Sequence, residues 1–129
     1  MANLDTFHHI LLVSIGAVFG VNTRFIIYQK LKEININGYF IILVINTFSC
    51  FLLGLSISIL PKIKSLTFSS QLVLFFLIGF LGSLSTFSSF VYDIFDLCVK
   101  FKFFKALKLF SFSFSLGIFA LVLGSSLGN

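Results

Sequence analysis

Apolar residues along this chain fall into four long runs separated by short polar interruptions. They span about Phe7 to Tyr28, Tyr39 to Leu60, Leu66 to Val99 and Phe103 to Leu127. A helix that crosses a bilayer needs about 20 mainly apolar residues, and each run is long enough. The interruptions QKLKEININ, PKIKS and KFKFFK leave no room for a soluble domain or a long linker, and no internal repeat is visible. The pattern predicts an all-α integral membrane protein: one unit over residues 1–129, with four transmembrane helices.

The third run, residues 66–99, is too long for one straight span of average thickness. It contains GFLGSLSTFSSFVYD, where Gly79 and Gly82 precede a cluster of hydroxyls. That composition predicts a helix break near residues 82–86. Non-helical backbone survives at membrane depth only where protein or a water-filled cavity satisfies it. The break is therefore expected to lie against another surface, in a four-helix chain a second copy or a close relative.

Composition strengthens the membrane reading. Of 129 residues, 58% are hydrophobic and 10% charged, against about 25% charged in a typical soluble domain. The start, MANLDTFHH, has no Lys or Arg before its apolar run and does not read as a cleaved signal peptide. Cys50 and Cys98 have no metal-ligand spacing and read as buried free thiols. Lys30, Lys32, Lys100, Lys102, Lys105 and Lys108 fall in or beside the first and third connections, against Lys62 and Lys64 in the second. The positive-inside rule then puts both termini outside the cytoplasm. Topology accounts for the net charge of +5, and nothing points to nucleic acid.

Polar residues inside the spans carry the candidate chemistry. Gly16, Gly20 and Arg24 recur every four residues, so they share a helix face. The glycines suit close helix packing; Arg24 fits either snorkelling to the interface or an electrostatic role beside an anion path. Asn46 is the amide in FIILVINTFSCFLLG, with Ser49 and Cys50 on the same face. It fits either an interhelical hydrogen bond or an N–H donor in a pore. In FSFSFS, Ser111 and Ser115 share a face that Ser113 does not; these hydroxyls either bond back to their own helix or form a polar track. Asp93 and Asp96 read as interfacial, and His8 and His9 as exposed. No catalytic triad, phosphate loop or metal-ligand cluster is present, so the chain does not read as an enzyme.

These residues together resemble the CrcB/Fluc fluoride channels. GFLGSLSTFSSF is similar to that family's third-span signature G-F-x-G-G-x-T-T-F-S-T-F, GVNTRF to its first-span G-A-x-x-R-Y, and NTFSCFLLG to its second-span N-x-x-G-S-F-x-x-G. The chain departs from these patterns at Phe25, Ser49, Cys50, Ser83, Ser85 and Val91, mostly small for small. The resemblance implies a passive fluoride-selective channel in the cell membrane that exports fluoride and relieves its toxicity. It implies an antiparallel dimer, of this chain with itself or with a paralogous subunit, and a structural sodium ion at the dimer centre. By motif position, the backbone carbonyls of Gly82 and Ser85 would hold the sodium. Asn46, Phe87 and Phe90 would line the fluoride pore, with Ser111 and Ser115 as further candidate donors, and Arg24 is the motif arginine.

Two other classes compete. A small multidrug-type proton-coupled exporter also has four spans, but it needs a carboxylate within span one, and residues 7–28 contain none. A non-conducting structural subunit would explain the packing glycines but not the combination of Asn46 with Phe87 and Phe90.

Overall fold

The computed structural model describes residues 2–63 and 69–129. Among the described residues it is all helical, and four helical segments are long and apolar enough to cross a membrane. Helix α1 (Ala2–Glu33) and helix α2 (Gly38–Ile59) account for the first two runs, α2 ending in a 3₁₀ turn, Leu60–Ile63, that contains Pro61. The third run is composite: α3 (Ser69–Leu72), a π-helical stretch Val73–Leu81, α4 (Gly82–Leu84) and α5 (Phe87–Val99). Helix α6 (Phe103–Gly128) forms the fourth. The expected start of the third span at Leu66, and Lys64 of the second connection, lie outside the described residues.

Helix α1 continues past the apolar boundary at Tyr28 to Glu33, because QKLKE is built from good helix formers and Lys32 lies 5.8 Å over the Tyr28 ring. It ends where Asn35 takes a left-handed conformation (φ 61°), which asparagine tolerates. The Asn35 N–H then bonds to the Lys32 carbonyl at 3.0 Å.

Glycines set how closely the helices pack. A Cβ on Gly16 or Gly20 would strike the Phe75 or Phe80 carbonyl, which seals α1 onto the third segment. On the other side, Gly54 of α2 and Gly124 of α6 sit against the carbonyls of Leu121 and Phe51. This is the small-residue packing that lets helix backbones touch where lipid removes the hydrophobic drive. Ile41, Ile45, Leu81 and Leu84 form the buried core between α2 and the third segment. At the far end the Lys62 ammonium donates to the Gly128 and Asn129 carbonyls (2.5 and 2.9 Å), a cation placed on the negative end of α6.

Candidate functional site

The centre of the site is the joint between α4 and α5. Ser85 (φ −84°, ψ 121°) and Thr86 (φ −120°, ψ 124°) are extended. The Ser85 N–H still bonds to the Leu81 carbonyl at 3.1 Å. Beyond it the chain turns away before further i→i−4 bonds form, so carbonyls at this helix end have no intrahelical partner. Gly82 lies on an open face: an added Cβ would meet only the Leu77 carbonyl, at 3.9 Å.

Side chains from three spans converge on the joint. The Arg24 guanidinium donates to the Thr86 hydroxyl, which in turn donates to the Ser89 hydroxyl at 3.2 Å. Arg24 is half-buried and directed at the joint, so it does not snorkel outward. The Ser85 hydroxyl donates to Asn46 Oδ1 at 3.3 Å, which engages the acceptor end of the amide. Ser49, deeply buried, bonds back to the Ile45 carbonyl at 2.9 Å.

Two cavities meet at Asn46. One, of about 520 Å³, is lined by Arg24, Tyr28, Asn46, Thr86 and Asp93. The other is a groove of about 560 Å³ lined by Asn46, Ser85, Phe87, Phe90 and Ser113. Its aromatic wall is a relay of rings: Phe87 and Phe90 lie 6.2 Å apart at 46°, Phe90 and Phe110 6.2 Å apart at 29°, and Phe110 stacks on Phe114 at 6.3 Å. The Ser113 hydroxyl is buried and is the side-chain polar atom left without a hydrogen-bond partner among the described residues. A buried hydroxyl in that state costs about 1–3 kcal/mol.

Of the residues singled out from the sequence, Arg24, Asn46, Phe87, Phe90, Gly82 and Ser85 thus cluster around one joint. Ser111 and Ser115 do not: both are exposed on α6 and neither lines the groove. Ser113 takes that place, because it stands four residues from Leu109 and from Gly117, on the α6 face turned toward α2 and α5. The strict alternation of FSFSFS gives no helical phase, so periodicity alone could not choose among the three. Asp93 also differs from its interfacial reading. It is 8% exposed and lines the Arg24 cavity, and its place four residues after Ser89 and seven after Thr86, which line the same cavity, was the available signal. Asp96 does lie near the helix end, accepting hydrogen bonds from Tyr39 and Lys100, each at 2.6 Å. That bond holds the Lys100 ammonium above its ordinary pKa. Cys50 and Cys98 are free thiols, half-buried rather than fully buried as expected.

Four apolar spans, a non-helical joint in the third and a groove walled by phenylalanine rings, Asn46 and two serines define a small multi-pass membrane protein. Residues 11–125 match the family described as CrcB-like protein, Camphor Resistance (CrcB), and the chain belongs to that family. It is 56% identical over 120 residues to the fluoride-specific ion channel FluC 2 of Prochlorococcus marinus strain NATL2A, covering 93% of this chain and 97% of that one. It is 38% identical to the FluC 2 protein of another Prochlorococcus marinus strain, CCMP1375, over 98% and 96% of the two chains. Against the fluoride-specific ion channel FluC of Histophilus somni strain 2336 the identity is 30%, over 84% of each. The relatives are channels rather than enzymes. No solved structure matches this chain significantly.

Proposed function

We propose that this chain forms a passive fluoride-selective channel that carries fluoride out of the cell, with Asn46, Ser113 and the edges of Phe87 and Phe90 as the anion's partners. The observation that carries this reading is the buried, unpartnered Ser113 hydroxyl facing the same groove as the ring pair and Asn46. A small anion accepts hydrogen bonds, so it relieves the unpaired donor. Aromatic rings are positive at their edges and can replace part of a lost hydration shell. The Asn46 amide, its oxygen engaged by Ser85, has its NH₂ end to offer. Neutral donors and ring edges hold an anion weakly enough to release it, which conduction requires. Arg24 and Asp93 both line the cavity that leads to Asn46.

The joint also fits a structural sodium ion. Carbonyls freed at a helix end are hard oxygen donors of the kind that coordinate alkali cations in broken membrane helices. Gly82 and Ser85 would supply them, and the open face at Gly82 admits the same joint of a second, antiparallel copy or a paralogous subunit. The ion would neutralise carbonyl dipoles that two chains bring together; the anion path itself uses side chains.

The test is reconstitution of the purified chain into liposomes, following fluoride efflux with an electrode and using chloride as the control. Fast fluoride release with chloride retained supports the channel. Silence, both alone and with a paralogous partner added, would leave a non-conducting structural subunit.

A further inference from the structure

At the end of the bundle where α1 turns into α2, a second pocket of about 420 Å³ is lined by Tyr39, Leu97 and four lysines, Lys100, Lys102, Lys105 and Lys108. It is remote in character from the fluoride groove: no ring pair and no amide from the joint reaches it. Lys100 is engaged by Asp96, the one ion pair among the described residues. Lys102 only shares the field of that same Asp96, and Lys105 and Lys108 have no carboxylate partner among the described residues. They stand three apart at the start of α6, where like charges repel across successive turns and where the positive end of the helix dipole disfavours cations. Three neighbouring cations beside a single shared carboxylate, two of them at the first turn of the helix, call for an anion. Lysine is a point-charge binder of phosphate.

The pocket has a second half. Phe112 belongs both to it and to a groove of about 450 Å³ between α2 and α6, walled by Phe40, Val44, Phe51, Leu116 and Phe119. This groove presents no polar surface, since the Thr47 hydroxyl within it is tied to the Leu43 carbonyl at 2.8 Å. From Phe40 to Phe51 it runs eleven residues of helix, about 16 Å at the usual rise, which is about half of a ~30 Å hydrocarbon core. A cationic cup opening into an apolar trough one leaflet long has the shape and polarity of a phospholipid.

We propose that the lysine pocket and the adjoining groove bind one anionic phospholipid per chain, its phosphate among Lys102, Lys105 and Lys108 and an acyl chain along α2 and α6. In a copy whose lysine-rich end faces the cytoplasm, as the positive-inside rule favours, anionic lipids of that leaflet are at hand for basic pockets between transmembrane helices. The site is independent of fluoride conduction.

Native mass spectrometry of the full chain in detergent, supplied with phosphatidylglycerol or with phosphatidylcholine of the same acyl chains, tests it. Phosphatidylglycerol is expected to stay bound where phosphatidylcholine is lost. Replacing Lys102, Lys105 and Lys108 together by Gln lowers its apparent affinity by about 100-fold, at about five-fold per lysine. Replacing all three by Arg keeps it, which separates lost charge from lost fold. Val44→Trp, which fills the trough, lowers lipid retention while the oligomeric state is unchanged. Equal retention of the two lipids, or full retention by the Gln variant, overturns the proposal. So does displacement of the lipid by inorganic phosphate but not by chloride at the same ionic strength, since the cup alone would then be the site. A Val44→Trp protein that dissociates yet keeps its lipid would assign the trough to a second copy and overturn the proposal too.

Discussion

The Arg24 guanidinium of α1 donates a hydrogen bond to the Thr86 hydroxyl, in the extended pair between α4 and α5. The contact joins a charge that is expensive in hydrocarbon to the one non-helical stretch among the described residues of the third span. Thr86→Val deletes the acceptor and keeps the shape. A hydrogen bond to a charged group contributes about 1.5–3 kcal/mol, so this variant is expected to unfold at lower temperature in detergent, while Thr86→Ser stays near the parent. Equal melting of both variants would mean that Arg24 finds its partner elsewhere.

Ser113 and its neighbours separate function from stability. Ser113→Ala removes an unpartnered buried hydroxyl and is expected to stabilise the fold by about 1 kcal/mol while slowing fluoride efflux. Ser111→Ala and Ser115→Ala, on the exposed side of α6, are expected to leave both unchanged. Efflux that falls with Ser111 or Ser115 and not with Ser113 would move the polar track to the other face.

Phe87 and Phe90 differ in what they support. Phe87 is 76% exposed and its ring pairs with that of Phe90, so Phe87→Ala is expected to cut efflux and to lower melting less than Phe90→Ala, which loses two ring pairs. Phe90 also contacts the Phe110 ring; Phe90→Ala is expected to cut efflux and to destabilise by about 0.5–1.5 kcal/mol for each ring pair lost. Unchanged efflux in both variants would remove the rings from the path.

Ser85 has a hydroxyl bonded to Asn46 and a carbonyl proposed above for a sodium ion. In Ser85→Ala the carbonyl remains, so dimers isolated in sodium are expected to persist, but the Asn46 amide loses its tether and efflux falls. Dimers that fall apart in this variant would show that the hydroxyl serves the joint itself.

The glycine contacts give a test of packing alone. In Gly54→Ala the new methyl meets the Leu121 backbone, and overpacking of this kind costs about 1–3 kcal/mol. Gly117→Ala meets only Cys50 Sγ, at 3.5 Å, an ordinary contact. Melting temperatures are expected to fall for the first and hold for the second.

Much of this arrangement could be read from the chain because it depends on composition over long windows. Hydropathy located the four spans, and the crowding of glycine and hydroxyls at 79–89 located the joint. What stayed hidden depends on phase and on partners. FSFSFS repeats with a period that no helix shares, so the inward serine could not be named. Asp93 looks interfacial until α1 brings Arg24 to the same cavity. The lysines of the third connection carried a topological meaning in the sequence, and only the fold shows that α2 and α6 shape a pocket between them.

The π-helical stretch Val73–Leu81 bears on how this site could be lost. Its hydrogen bonds skip one residue further than an α-helix's, and at its end the Gly82 N–H is shared between the Leu77 and Gly79 carbonyls as the winding tightens again. Such a stretch houses more residues per turn than its neighbours, and Gly16 and Gly20 clamp its backbone in place. The azimuth at which the chain reaches Ser85, and so the direction in which Phe87 and Phe90 emerge, is therefore set by the residue count upstream. Deleting one residue between 73 and 78 would let the stretch rewind toward an ordinary helix and turn both rings off their wall, disabling the path while every residue that lines it was still there.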